Sequence, residues 1–109
     1  MTAGPEELAE LRELCHGAAY LSEGGQLFVD LPALRIPVGD DVLTRNALLT
    51  LQVHCGYDSR LFLSEPIAGR GVNWSVHAVL GRQWHTPSWR GVTPRRPIEM
   101  VQQHLKVYR

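Results

Sequence analysis

The segment LLTLQVHCGYD, residues 48–58, decides how the chain is read. Leu49, Leu51 and Val53 alternate with Thr50, Gln52 and His54, the period of two that marks a half-buried strand, and Cys55-Gly56-Tyr57-Asp58 breaks it. Working outward, Arg60 to Ser64 predicts a following strand, and Asn73 to Leu80 alternates again, with Trp74, Val76 and Ala78 opposed to Ser75, His77 and Val79. Upstream, residues 26–36 alternate until Pro32 and Pro37 interrupt, which predicts a strand that is bent or lies at a sheet edge. Val38-Gly39-Asp40-Asp41 is the turn between them.

Helices close the pattern at both ends. Pro5 with Glu6 and Glu7 is a helix start, because proline suits the first turn and acids favour the positive end of the dipole. Leu8, Leu11, Cys15 and Ala18 recur at helical spacing, Leu14 and Leu21 widen the stripe, and Gly24-Gly25 ends it. Cys15 on this stripe reads as a buried small hydrophobe. Pro97 starts a last helix with Ile98, Val101 and Leu105 on one side. Between Gly81 and Arg96, Pro87, Gly91 and Pro94 predict irregular chain that must pack through Trp84 and Trp89. The expected fold is α+β: an N-terminal helix, an antiparallel meander, an irregular tryptophan-containing loop and a C-terminal helix. Its expected core includes Leu8, Leu11, Leu49, Leu51, Val53, Val76, Ile98 and Val101.

At 109 residues, 44% hydrophobic and 20% charged, the composition is that of one packed domain over residues 1–109. Cys15 and Cys55 are far apart and form no CxxC, so neither a disulfide framework nor a zinc ribbon is expected, and a reducing cytoplasm fits best. No basic leader with an apolar run and no membrane-length apolar stretch is read, so no membrane partner is expected. The net charge is +0 but uneven: residues 1–30 hold six acids against Arg12, whereas from residue 70 onward seven bases face Glu99 alone. The two ends either complement each other or face solvent. The bases form no dense run, so no nucleic-acid partner is expected.

Several chemistries find no support. There is no Walker-type loop and no GxGxxG, and Gly69-Arg70-Gly71 reads as a turn, so no nucleotide or other cofactor is expected. His16, His54, His77, His85 and His104 show no metal-ligand spacing, so no metal is expected. Cys55 sits beside His54, but adjacent strand residues face opposite sides, which makes His54 a poor base for it. The loop from Gly81 to Arg90 crowds Arg82, Trp84, His85, Thr86, Ser88 and Trp89, and reads either as a lid over the sheet or as a contact surface.

The order of elements resembles the ubiquitin-conjugating (E2, or UBC) fold. Leu48 to Val53 followed by Gly56-Tyr57-Asp58 is similar to the E2 strand and tyrosine-containing turn that run into a proline-marked last strand, here Leu61 to Pro66. Trp89, Thr93-Pro94 and the helix from Pro97 are similar to the tryptophan, proline and crossover helix that follow the E2 active site. With Trp89 on that tryptophan, the E2 cysteine falls about eight residues earlier, near Gly81, and the E2 asparagine near Asn73. Asn73 is present and the cysteine is not. Bacterial E2-like families accompany E1-like adenylating enzymes, JAB-type peptidases and ubiquitin-like proteins.

The resemblance therefore implies an E2-like component of a bacterial ubiquitin-like conjugation system that binds an E1-like adenylating enzyme, the ubiquitin-like protein, or both. Partner contacts are expected from Asn73, Arg82, Trp84, His85 and Trp89, with Trp89 the more buried of the two tryptophans. E2 transfer needs a nucleophile that holds an acyl group, which Gly81 cannot supply. Cys55, or a hydroxyl such as Thr86 or Ser88 with His85 or His77 as base, is the candidate replacement. Two other readings stand beside this one: a structural or adaptor domain unrelated to ubiquitin-like pathways, and a hydrolase using Cys55 with His77.

Overall fold

The computed structural model describes residues 4–52, 56–90, 92–93 and 96–108. The elements are α1 (Pro5–Leu14), β1 (Ala19–Glu23), β2 (Gln26–Val38), β3 (Asp41–Thr50), β4 (Leu61–Leu63), β5 (Ser75–Val79), β6 (Arg82–Thr86) and α2 (Pro97–Leu105), which runs into a 3-10 turn, Lys106–Tyr108. The strands form one antiparallel sheet in the order β1-β2-β3-β4-β6-β5. The architecture is α+β, as expected from the sequence.

α1 begins with Pro5, Glu6 and Glu7 in its first turn, but it stops at Leu14, where Cys15 turns extended. The helical stripe continues in sequence to Leu21, yet Ala19–Glu23 is strand β1, paired with Gln26 to Asp30. Gly24 and Gly25 decide this, since both take positive φ (58° and 79°) and so make the two-residue turn that suits a β-hairpin. Leu21 is accordingly exposed and Ala18 buried. Cys15 is buried as expected, its thiol donating to the Pro32 carbonyl at 3.1 Å.

β2 is bent, but it lies between β1 and β3 rather than at an edge. Its register shifts between Leu31 and Leu34, where Ala33 takes φ 53° and its N–H bonds to Asn46 Oδ1 at 2.9 Å. This bulge lets Pro32, which has no N–H to give, sit inside the sheet without breaking the ladder on either side.

The period of two sorts the strand residues onto two faces. Val29, Leu31, Leu49, Leu61 and Leu63 pack against Leu11 of α1 and Met100, Val101 and Leu105 of α2. Phe28, Leu48 and Phe62 form a second buried cluster with Val79 and Trp84. Both terminal helices thus cover the first face, and Arg96 donates to the Glu10 carboxylate between them. The acidic and basic ends of the chain meet here, as one reading of the charge pattern anticipated.

Of the expected core, Leu11, Leu49, Leu51 and Val101 are buried, and Leu8 and Ile98 are partly buried. Val53 lies outside the described residues. Val76 is a correction: it is 55% exposed, because β5 runs in the opposite phase, with Val79 inward. The residues 81–96 are also not irregular throughout, since Arg82–Thr86 is strand β6. Leu80 and Gly81 (φ 52° and 74°) form the tight turn that pairs Val79 with Arg82 and places Trp84 beside His77. A single-residue change of phase moves every side chain of a strand to the other face. Trp84, the largest apolar group of the hairpin, takes the inner side and leaves Val76 outside.

This assignment predicts different costs for two truncations. Leu49→Ala should lose about 2–5 kcal/mol, as for other fully buried leucines, whereas Val76→Ala should stay within about 0.5 kcal/mol of wild type. Urea unfolding of both variants checks the phase of β5 directly, and comparable losses at the two sites would contradict it.

Candidate functional site

Two segments that lack regular structure meet beside the helices. One follows β3 and precedes β4, and the other follows β6. Between them lies a cleft of about 230 Å³ lined by Gly56, Tyr57, Asp58, Ser59, Trp89, Arg90 and Val92. Its floor is set by the ends of the β3–β4 pair: the Thr50 N–H donates to the Arg60 carbonyl at 2.9 Å, and the Arg60 N–H donates to Thr50 Oγ1 at 2.7 Å. These bonds hold Ser59 and Arg60 in place although neither belongs to a strand.

Tyr57 carries two guanidinium groups against its ring, Arg60 at 4.0 Å and Arg90 at 4.1 Å from the centroid. Such contacts favour the cation over the π face and hold long arginines in one geometry. Arg90 also donates to the Gly56 carbonyl at 2.8 Å, which closes one side of the cleft. The Tyr57 hydroxyl is held below the usual phenol range by its hydrogen bond with Ser88 and by the charges of Arg90 and Arg60.

Arg60 itself is only 5% exposed. Its Nη1 donates to His77 Nε2 at 3.2 Å, while its Nε has no partner among the described residues. Burial, aided by the Arg60 charge, lowers the His77 pKa. No ion pair reaches Arg60 or Arg90 among the described residues.

Ser59 and His104 are brought together from 45 residues apart, Ser59 Oγ lying 2.9 Å from His104 Nε2. Ser59 Oγ also donates to the Thr50 carbonyl at 2.9 Å, so the imidazole supplies the proton for the other bond. A serine and a histidine at this distance suggest a nucleophile and its base. The environment argues otherwise: burial, with a smaller effect of Arg60, lowers the His104 pKa to about 3. An imidazole that resists protonation this strongly is a poor proton acceptor at neutral pH. The pair is a strut that ties α2 to the segment before β4.

The residues singled out in the sequence do not assemble into one surface. Trp84 is 2% exposed, its indole donating to the Val79 carbonyl at 3.0 Å beneath the Arg82 guanidinium, so it is core and not a contact residue. Trp89 is the more exposed tryptophan, it lines the cleft, and its Nε1 has no partner among the described residues. The expected order of burial is therefore reversed, because β6 is a strand whose alternation sends Trp84 inward while Trp89 lies beyond its end. Arg82 and Asn73 are exposed and His85 is half-buried opposite Leu63 and Val76. Asn73 takes φ 50° and accepts a bond from Ser88 Oγ at 3.3 Å through its carbonyl.

The candidate hydroxyl nucleophiles are engaged elsewhere. Thr86 is buried with its hydroxyl donating to the Leu61 carbonyl at 2.9 Å, and no hydrogen bond joins His85 to Thr86 or Ser88 among the described residues. Gly81 is an exposed turn residue with nothing within 4 Å of where a side chain would start. Cys55 lies outside the described residues. Nothing in the sequence singles out Ser59 or Arg60, whereas His104 interrupts the apolar stripe of α2 and is a signal in itself.

Compared with protein-family models, curated proteins and solved structures, the chain matches none.

Two outcomes follow from this geometry. Above pH 6.5 the His104 imidazole is neutral in the folded and the unfolded chain alike, but below it only the unfolded chain gains the proton until about pH 3. Stability should therefore fall by about 1.4 kcal/mol per pH unit through that window on account of this group. Denaturation midpoints of wild type and His104→Gln between neutral and mildly acidic pH should diverge in slope, the variant being flatter. Separately, Trp84→Ala should destabilise the fold by about 3–5 kcal/mol, and Trp89→Ala by distinctly less. Thermal melts of the two variants rank them, and the opposite ranking would restore Trp89 as the core residue.

Proposed function

We propose that this chain is an E2-like, UBC-like component of a bacterial ubiquitin-like conjugation system, acting in the cytoplasm by docking its partners rather than by carrying the acyl group itself. One observation carries the reading: β1, β2, β3 and β4 are neighbours in chain order, a meander, with α1 before them and α2 after them on the same face. That is the order of elements on which the sequence resemblance rests. The absence of a nucleophile at Gly81 and the engagement of the Thr86 and Ser59 hydroxyls with backbone carbonyls support docking over transfer.

The contact surface belongs to the cleft rather than to β6. Trp89, Arg90 and Tyr57 combine aromatic area with guanidinium groups, the composition that most often supplies binding energy at protein interfaces. Arg82, His85 and Asn73 are peripheral to it by sequence and by strand assignment. The partners are an E1-like adenylating enzyme, the ubiquitin-like protein, or both.

A second reading draws on a specific departure. β6 and β5 extend the sheet past β4, where the resemblance calls for irregular chain. This favours an adaptor domain of a different α+β lineage, unconnected to ubiquitin-like proteins. The hydrolase reading is weaker, because His77 Nε2 already faces Arg60 and Ser75 at 3.2 and 3.0 Å.

Calorimetric titration with the E1-like enzyme and the ubiquitin-like protein of the same genome separates these readings. Docking predicts saturable binding to at least one of them, weakened by about 2 kcal/mol in Trp89→Ala and unchanged in Cys55→Ser. Binding to neither would leave the adaptor reading. If binding occurs and Cys55→Ser alone abolishes conjugate formation, the domain transfers the acyl group and the preference for docking is wrong.

A further inference from the structure

Among the described residues, the cleft lined by residues 56–59 with Trp89, Arg90 and Val92 carries positive charge that no ion pair balances. Arg60 is buried, a condition that normally requires a paired or coordinated anion. What surrounds it instead, among the described residues, is the Tyr57 ring, at 4.0 Å, and His77 Nε2, at 3.2 Å. Neither carries negative charge while the phenol is protonated. Arg90 stacks on the same ring at 4.1 Å and is exposed, with one N–H on the Gly56 carbonyl and another engaged by the Tyr57 hydroxyl, so that only part of its five-donor guanidinium is used. Asp58, the acid among the described lining residues, is exposed and forms no ion pair with either arginine.

We infer that this cleft binds a carboxylate, with Arg90 as its ionic contact and the buried Arg60 contributing positive potential from the other end of the Tyr57 contact. The choice of a carboxylate rests on the shape of the wall. Trp89 and Val92 give one side of the cleft an apolar surface, and a volume of about 230 Å³ accommodates a small organic acid or the last residue of a peptide. A planar guanidinium fork matches a carboxylate with two parallel bonds. The buried Trp89 Nε1, without a partner among the described residues, is a further donor beside this wall that a small rotation of the ring would present. The inference rests on the cleft alone and stands whether or not the conjugation reading does.

The test uses the whole chain and small probes. N-acetylglycine, a carboxylate on a single peptide unit, is titrated while the indole N–H signals are followed by NMR, with Trp89→Phe identifying the Trp89 signal. Saturable movement of that signal at millimolar probe, with Trp74 and Trp84 unmoved, is the expected result. N-acetylglycinamide, which lacks the charge, should leave it in place. Arg90→Gln should weaken binding about tenfold or more, the loss of one charge-assisted contact. Asp58→Asn should strengthen it, because it removes the like charge from the cleft. These two exposed positions leave the core intact, and unmoved Trp74 and Trp84 signals verify the fold of each variant. No movement with N-acetylglycine, equal movement with the amide, or tighter binding of inorganic phosphate than of N-acetylglycine would each overturn the assignment.

Discussion

β4 is three residues long and buries all of them: Leu61 and Leu63 on the helical face and Phe62 on the other. It is also the strand that joins β1–β3 to the β6–β5 hairpin. Both hydrophobic clusters therefore pass through it, and neither half of the sheet has a closed core without it. The β3 register Leu48↔Phe62 and Leu49↔Leu61 sets one cluster on each face in successive residue pairs. A slip of one residue would exchange the faces and place Phe62 under the helices. Ser59 and Arg60, just before β4, take their positions from bonds to Thr50 that continue this pairing.

Polar groups are fitted around that strand with little slack. Thr50, Ser59, Arg60, Thr86 and His104 are the buried polar side chains among the described residues. Thr50, Ser59, Thr86 and His104 are satisfied by backbone or by one another, in keeping with the cost of burying unpaired polar atoms. Arg60 departs from this economy. Its charge depresses the affinity of both His77 and His104 for protons, beyond the effect of burial, so these two imidazoles remain neutral partners. The positive charge is then concentrated at the Tyr57 end of the site rather than spread along the network.

The parts of the fold legible in the sequence are those with a single dominant signal. The proline start of each helix and the turn at Gly39 are legible because nothing local competes with them, whereas the strand expected from Leu49 onward ends at Thr50, with Leu48, Leu49 and Thr50 all buried and Leu51 beyond it. Residues 15–23 mislead because helical spacing in Cys15, Ala18 and Leu21 coexists with a Gly24-Gly25 hairpin, and only tertiary pairing with β2 decides between them. β6 is hidden in the sequence because its inward positions are Trp84 and Thr86 and its other positions are polar, a pattern that Pro87 and the later proline make look like loop. Trp84, expected at a contact surface, lies in the core because the alternation of β6 turns it inward. The Ser59–His104 strut was illegible in principle, since it depends on how α2 settles against the segment before β4.

The packing of α1 against α2 has a consequence for synthesis. Leu11 is fully buried, and the residues that cover it include Met100, Val101 and Leu105, near the other end of the described chain. During translation, chain elongates at about 5–20 residues per second, so an early helix waits seconds for a partner made late. The sheet can pair strand by strand as it emerges, but its helical face stays open until α2 leaves the ribosome. This domain therefore closes its core after its own synthesis is nearly complete, and the nascent chain carries an uncovered apolar face for most of that time.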